Sequence, residues 1–428
     1  RENPEVTQAF QFTSSRGTDP GLSVVELNNV QDYTVVTPDT PLKLLVDTTL
    51  GKDEHLLPVG YNGEFFLPLG RGKTNQEGKT EIELQRLPAP VSEGRRSLQG
   101  AIRILFQKVI SEKLGLEYQY PMLAVASVGD DQSVKYEADQ AQVKQLVAQA
   151  KRIVVYVHGI TGDTESLVSS IHQPTIGVDG QKRSISQFYD LVLSFDYENI
   201  NTSIEENARN LKKRLAAVGL GTNHGKVLHI VAHSMGGLVS RWFIEREGGN
   251  QVVQHLIMLG TPNGGSPWPT VQDWATLALG IGLNSLSTVA WPVKVLGSLI
   301  SAIEAVDVTL DQMKPNSDFL KTLAQSDDPG IPYSIIAGNT SIIPAAVQQQ
   351  GEKSSLLERL MQNLFGKVVA LPFFGQPNDI AVTVQSIRNV TDGRSLPPEI
   401  QEVACDHLTY FNHPEGLKAL IAAFAEQK

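Results

Sequence analysis

Cysteine is nearly missing from this chain: Cys405 is the only one in 428 residues. That excludes an intrachain disulfide framework and a four-cysteine zinc site, and it fits a reducing compartment. Cys405 itself reads as a small buried residue rather than a nucleophile. Positive charge is also short, with 36 Lys and Arg against 46 Asp and Glu and a formal net charge of −10. The basic pair Arg95 with Arg96 is too small to reverse that balance. Clamping a phosphate backbone needs clustered cations, so a nucleic-acid partner is excluded. No cluster of His, Cys, Asp or Glu has metal-ligand spacing, so neither a metal nor a required cofactor is expected. No apolar leader and hence no signal peptide is visible, but the chain starts at Arg1 rather than Met, which leaves room for a removed upstream segment, so localisation stays open, with a cytoplasmic one favoured over the others. Repeats and low-complexity tracts are absent.

What is present is a globular composition, 41% hydrophobic and 19% charged, long enough for two domains. Residues 1–115 read as a β-rich accessory domain. "YTVVTPDTPLKLLVDTTL" (33–50), "GEFFLPLG" and "TEIELQRLP" have strand character, the last two separated by the polar loop "RGKTNQEGK" (71–79). The segment 97–115, with Leu98, Ile102, Leu105, Phe106, Val109 and Ile110, has helical spacing and Gly115 as a stop. From residue 116 to 428 strands alternate with helices. "MLAVASV" and "SVKYEA" form a hairpin, and "RIVVYVHG", "YDLVLSFDY", "KVLHIVAHS", "VVQHLIMLGTP" and "IPYSIIAGN" are continuous apolar strands. That pattern means an α/β fold with a mostly parallel sheet covered on both faces. Two insertions interrupt it, at about 264–328 and 340–376. Within the first, "ATLALGIGLNSLSTVAWPV" (275–293) carries no charge and is long enough to span a membrane. Its two glycines, asparagine and proline favour a helical lid over an apolar cleft instead, with transient contact at a lipid interface.

Chemistry concentrates where strands end. In "KVLHIVAHSMGGLVSRWF" (226–243) Ser234 sits between an apolar strand and a helix. A sharp strand-to-helix turn tolerates only small residues two places either side of the serine, and these are Ala232 and Gly236. His233 precedes the serine. The bland alternative is a serine N-cap on the following helix. A serine nucleophile needs a base and donors for the charge that develops on its substrate. Upstream, "IVVYVHGITGD" (153–163) offers Gly159 for close backbone approach and Ile160 as one N–H donor. Met235, directly after the serine, is the other. His158 reads as a structural support of that loop. Downstream, Asp379 in "PNDIAVTVQS" and His407 in "EVACDHLTYF" each follow a strand. Asp406, Asp392 and Asp196 are rivals for the acid, the second in a surface turn and the third a loop anchor, and His413 starts the last helix.

"VHGITGD", "AHSMGGLVSRW", "LGTPNGGS", "MKPNSDFL" and "ND" with a later "DHLTYF" together resemble the α/β-hydrolase superfamily of serine esterases and lipases. The nearest groups are bacterial triacylglycerol lipases and glycosylphosphatidylinositol inositol-deacylase-like hydrolases. The resemblance covers roughly 150–428. It implies an α/β-hydrolase fold and a carboxylic-ester hydrolase with Ser234 as nucleophile, His407 as base and acid, and Asp379 as its orienter. Ile160 and Met235 would supply the oxyanion hole, and the substrate would be a small-molecule or lipid ester with an apolar acyl group. The alternatives are an acyltransferase or amidase using the same residues, or a partner-binding module.

Overall fold

The computed structural model describes residues 10–425 apart from 14–21, 28–31, 33, 38, 47–53, 62–64, 75–78, 88–101, 111–120, 130–132, 161–163, 178–179, 199–201, 269–270, 285–309, 343–358, 361–362 and 365–375. It falls into two compact units. The first gathers Arg1–Leu116, Gln272–Glu304 and Gly351–Ala370; the second gathers Glu117–Val271, Ala305–Gln350 and Leu371–Lys428.

The first unit is an antiparallel sheet. Its strands are β1 (Phe10–Thr13), β2 (Leu22–Leu27), β3 (Leu42–Val46), β4 (Glu54–Tyr61), β5 (Phe66–Pro68), β6 (Gly70–Thr74), β7 (Thr80–Leu84) and β8 (Ile102–Ile110). They run in the order β1-β2-β8-β4-β6-β7-β3, with β5 on β4. Leu57, Val59, Leu67, Leu69, Ile82, Leu84 and Ile104 are buried. Two expectations fail here. The segment expected as a helix over 97–115 forms β8, hydrogen-bonded to β2 on one side and β4 on the other. Over so short an apolar run helical and alternating spacing overlap, and partners distant in sequence decide between them. Leu98 and Gly115 lie outside the described residues. Likewise Arg71–Thr74, expected in a loop, is the strand β6 paired with β7.

The helix Val271–Leu283, from the stretch expected to be a lid, has Trp274, Leu277 and Leu279 buried. Gly280 leaves the room that Leu364 fills, since a Cβ there would stand 2.9 Å from Leu364 Cδ1. Just past the helix, Asn284 Oδ1 accepts the Phe66 N–H at 2.8 Å and its Nδ2 donates to Phe66 O at 2.7 Å. Most of the remaining lid stretch, 285–309, lies outside the described residues. Among the described residues no helix is long and apolar enough to cross a membrane.

The second unit continues with β9 (Met122–Val128), β10 (Val134–Glu137), β11 (Arg152–Val157), β12 (Thr175–Ile176), β13 (Lys182–Arg183), β14 (Leu191–Asp196), β15 (Val227–His233), β16 (His255–Leu259), β17 (Tyr333–Gly338) and β18 (Glu399–Val403). Its main sheet runs β10-β9-β14-β11-β15-β16-β17-β18. From β14 to β18 every pairing is parallel, and the β9/β10 hairpin adds an antiparallel edge. Ile153 to Val157 are all buried, as are Leu256 to Leu259, so both faces of these strands are covered. Val154, Tyr156, Val231 and Ile257 pack in one cluster with Leu420 and Phe424 of the helix Pro414–Ala425.

The flanking helices follow their sequence signals. Ser203 caps Ile204–Ala217 by accepting from Glu206 N–H, and Ile204, Ala208, Leu211 and Leu215 make its buried stripe. Asp139 caps Gln140–Gln149 in the same way, through Gln142 N–H.

Parallel strands have one consequence for function. The carboxyl ends of β11, β15, β16, β17 and β18 all open on the same edge of the sheet, where loops are free to carry polar groups.

Candidate active site

Ser234 stands where β15 gives way to the helix Met235–Arg246. Its backbone is at φ 53° and ψ −128°, a conformation that costs a non-glycine residue about 1–3 kcal/mol. Surrounding contacts enforce it. Ser234 N–H donates to Leu259 O at 2.9 Å, and Gly237 N–H donates to Ser234 O at 3.0 Å. The turn fits only because the helix starts against bare backbone: a Cβ on Gly236 would collide with His158 O and lie 2.6 Å from Val157 O. Ala232, the other small neighbour, is fully buried. Although Ser234 occupies the N-cap position, its side chain makes no capping hydrogen bond. The hydroxyl is therefore not spent on the helix.

The loop after β11 runs beside that hydroxyl. A Cβ on Gly159 would stand 3.2 Å from Ser234 Oγ and 2.6 Å from its Cβ. His158 secures this loop from within. Its Nδ1–H donates to Gly159 O at 2.7 Å, and its Nε2 accepts the Tyr197 N–H at 3.2 Å. Tyr197 Oη donates to His158 O at 2.7 Å, and the two rings stack at 4.3 Å. Burial holds the His158 imidazole below its ordinary pKa, against the pull of Asp196. Asp196 lies 3.9 Å from His158 Nε2, and its carboxylate instead accepts from Thr164 N–H and Oγ1 at 2.9–3.1 Å. Ile160 and Met235 are both buried here.

Asp379 and His407 arrive from β17 and β18. His407 Nδ1 is 2.7 Å from Asp379 Oδ2, and His407 N–H donates to Asp379 O at 2.8 Å. A carboxylate only accepts, so Nδ1 carries the proton and Nε2 is the basic nitrogen. Asp379 is fully buried and amply solvated by protein. Oδ1 accepts from Ala381 N–H at 3.0 Å and Val382 N–H at 2.8 Å, while Oδ2 also accepts from Tyr410 Oη at 2.8 Å. The chain bends sharply here, with Ile380 at φ 76°. Asn378 Oδ1 holds its N–H at 2.8 Å and Trp268 Nε1 holds its carbonyl at 3.1 Å.

His233 ties the serine turn to the imidazole. Its Nε2–H donates to His407 O at 2.8 Å, with the two rings 4.8 Å apart. Burial, then the nearby His407 ring, hold His233 well below the ordinary histidine value, so it stays neutral.

Among the rivals, Asp392 is exposed in its turn and Asp406 Oδ1 accepts Leu408 N–H at 3.0 Å. His413 directly precedes the helix Pro414–Ala425. Cys405 is buried, and burial pushes its thiol far above the ordinary range.

Sequence reading missed Tyr410, which looks like any core aromatic in "HLTYF", and Gly260 at the end of β16. A Cβ on Gly260 would lie 2.9 Å from Asp379 Oδ2 and 3.0 Å from His407 Nδ1. It also missed the support behind the serine helix. Glu245 accepts from Arg241 at 2.9 and 3.2 Å, from Arg394 at 2.8 Å and from Tyr333 Oη at 2.9 Å. Burial raises the Glu245 carboxyl, but the two guanidiniums outweigh it and hold it below its ordinary value. A cavity of about 210 Å³ lined by Arg241, Asn263, Lys321 and Asn389 borders this cluster and touches none of Ser234, Asp379 or His407. Among the described residues no group of three or more His, Cys, Asp or Glu could hold a metal ion.

The model of a domain of unknown function, DUF7379, matches residues 123–425. The chain belongs to that family. The DUF7379 match spans nearly all of the second unit and every residue of the site above. No curated protein matches the sequence. Similar solved structures include a lipase of Bacillus licheniformis in mature form, 18% identical over 65% of this chain and 92% of that one, with a TM-score of 0.37. An α/β-hydrolase enzyme from a Medee basin deep-sea metagenome library is 14% identical, covering 73% and 97%, with a TM-score of 0.38. The phospholipase PlaB of Legionella pneumophila is 18% identical over 55% of this chain and 45% of that one, with a TM-score of 0.35. Likenesses this distant leave function to be judged from the chain's own geometry.

Proposed function

We propose that this DUF7379 chain is a serine carboxylic-ester hydrolase of the α/β-hydrolase type, acting through an acyl-enzyme. One observation carries the proposal: Ser234 is held at positive φ with its hydroxyl free of capping duty, at the sheet edge that also bears an imidazole bonded through Nδ1 to a buried carboxylate. Strain of this kind persists only where the surroundings enforce it, and a helix cap would not need it.

In this reading Ser234 Oγ attacks the ester carbonyl carbon as His407 Nε2 takes its proton. Asp379 holds the imidazole in the right tautomer and stabilises the imidazolium that forms. The N–H groups of Ile160 and Met235 receive the oxyanion, each contributing roughly 10²–10³-fold. The imidazolium then protonates the departing alkoxide. Water, deprotonated by His407, attacks the acyl-enzyme, and Ser234 leaves with its proton restored. The uncharged stretch 275–293 favours esters with an apolar acyl group.

The test is direct. A fluorophosphonate probe labels Ser234 in the full-length protein, and turnover of p-nitrophenyl esters falls by about 10⁴–10⁶-fold in Ser234→Ala. Unchanged turnover in that variant would end the proposal. Activity that drops steadily from acetyl to octanoyl esters would remove the apolar acyl preference and leave the nucleophile standing.

A further inference from the structure

We infer that Tyr410 is a positioning residue for the Asp379–His407 pair, setting how strongly the carboxylate draws on the imidazole proton. This rests on the hydrolase reading only for its kinetic consequence; the hydrogen-bond geometry stands without it.

Tyr410 Oη donates to Asp379 Oδ2 at 2.8 Å, the same oxygen that accepts His407 Nδ1–H at 2.7 Å. The phenol has one proton, and its direction is fixed because Tyr410 Oη also accepts Gly338 N–H at 2.7 Å. With that N–H on one side, the hydroxyl proton points at the carboxylate. Tyr410 is fully buried, and burial together with the Asp379 charge push it well above the ordinary phenol value, so it remains a donor throughout the working range.

The fold makes room for this contact. β17 ends in Gly338, where a Cβ would lie 2.6 Å from Tyr410 Oη and 2.9 Å from Asp379 Cβ. β16 is followed by Gly260, where a Cβ would lie 2.8 Å from Tyr410 Cε2. Two neighbouring strands thus end in residues without side chains, and the space is filled by the phenol that reaches Asp379.

Two donors on one carboxylate oxygen share its negative charge. The Tyr410 bond therefore weakens the hold of Asp379 on the His407 proton and lowers the stabilisation of the imidazolium. Removing the phenol hydroxyl reverses both effects.

The experiment uses the full chain and two substitutions. In Tyr410→Phe, the acid limb of kcat/KM for a p-nitrophenyl ester moves to higher pH by roughly half a unit to one unit. The Nδ1 proton resonance of His407, assigned through its loss in His407→Gln, moves downfield. A site-specific 2,3-difluorotyrosine at 410 keeps the shape and strengthens the donor, so both readouts move the opposite way. It also covers the case in which Tyr410→Phe fails to fold because Gly338 N–H loses its partner. If both variants leave the resonance and the acid limb where the wild type has them, whatever happens to thermal stability, Tyr410 is structural only and the inference is overturned. The resonance is read on the resting protein, so absence of ester turnover or of Ser234 labelling would count against the hydrolase reading and leave this test intact.

Discussion

At the scale of single residues, Ser234 shows how a strained backbone is held in place by its neighbours. Its positive φ is tolerated because Gly236 lets the helix start against the backbone of Val157 and His158. A glycine has no penalty in that conformation, so Ser234→Gly is expected to raise stability by about 1 kcal/mol in urea unfolding while abolishing turnover. Gly236→Ala moves stability the other way. Its added methyl has no space, and the variant should lose at least about 1–3 kcal/mol along with fluorophosphonate labelling. Ser234, Asp379 and His407 stand out in the sequence as candidates, Ser234 by the small residues around its turn and the other two by their place in segments that follow strands. Tyr410 does not. Nothing local separates a phenol that reaches a carboxylate 31 positions upstream from one that fills a core.

At the scale of elements, the serine helix is anchored from below by a buried charge cluster. Arg241 and Arg394 both bind Glu245, and the Arg394 guanidinium stacks on the Tyr333 ring at 4.3 Å. Removing the one anion leaves two buried cations facing each other. Glu245→Ala is therefore expected to cost about 3–5 kcal/mol in chemical denaturation, far more than Arg209→Ala at an exposed pair on the neighbouring helix. Elements also mark where sequence reading stops. The capped helices carry their own start signals and stripes, so they were legible. β8 was taken for a helix because its identity lies in pairing with β2 and β4, more than 40 residues away in each case.

At the scale of the molecule, two histidines in the sheet interior tie folding to pH. His229 on β15 and His255 on β16 are directly opposite in register, with Tyr189 Oη 2.7 Å from His229 Nδ1 and Ser334 Oγ 2.9 Å from His255 Nε2. Burial holds them at about 4 and about 3, below the ordinary 6.5. Unfolding releases both to their ordinary value, so the unfolded chain binds more protons wherever the pH lies between. Their contribution is fully present above about pH 6.5 and is lost as pH falls toward 4, at up to about 1.4 kcal/mol per pH unit for each imidazole. Urea unfolding followed from pH 8 to pH 4.5 checks this, and His229→Gln should flatten the slope.

From the linear sequence come the α/β class of fold, the strand ends, and the order of the candidate residues Ser234, Asp379 and His407. All are set by short-range signals: continuous Val and Ile runs, small residues around a turn, caps and stops. Only the tertiary structure decides the rest. It decides that 102–110 is a strand, because its partners are far along the chain. It decides that Gln272–Glu304 and Gly351–Ala370 join the first unit, because cohesion follows packing and not chain order. And it decides that Asp379 Oδ2 serves both His407 and Tyr410, because hydrogen bonds are made by atoms in reach, and the ends of separate strands come within reach only when the sheet is built.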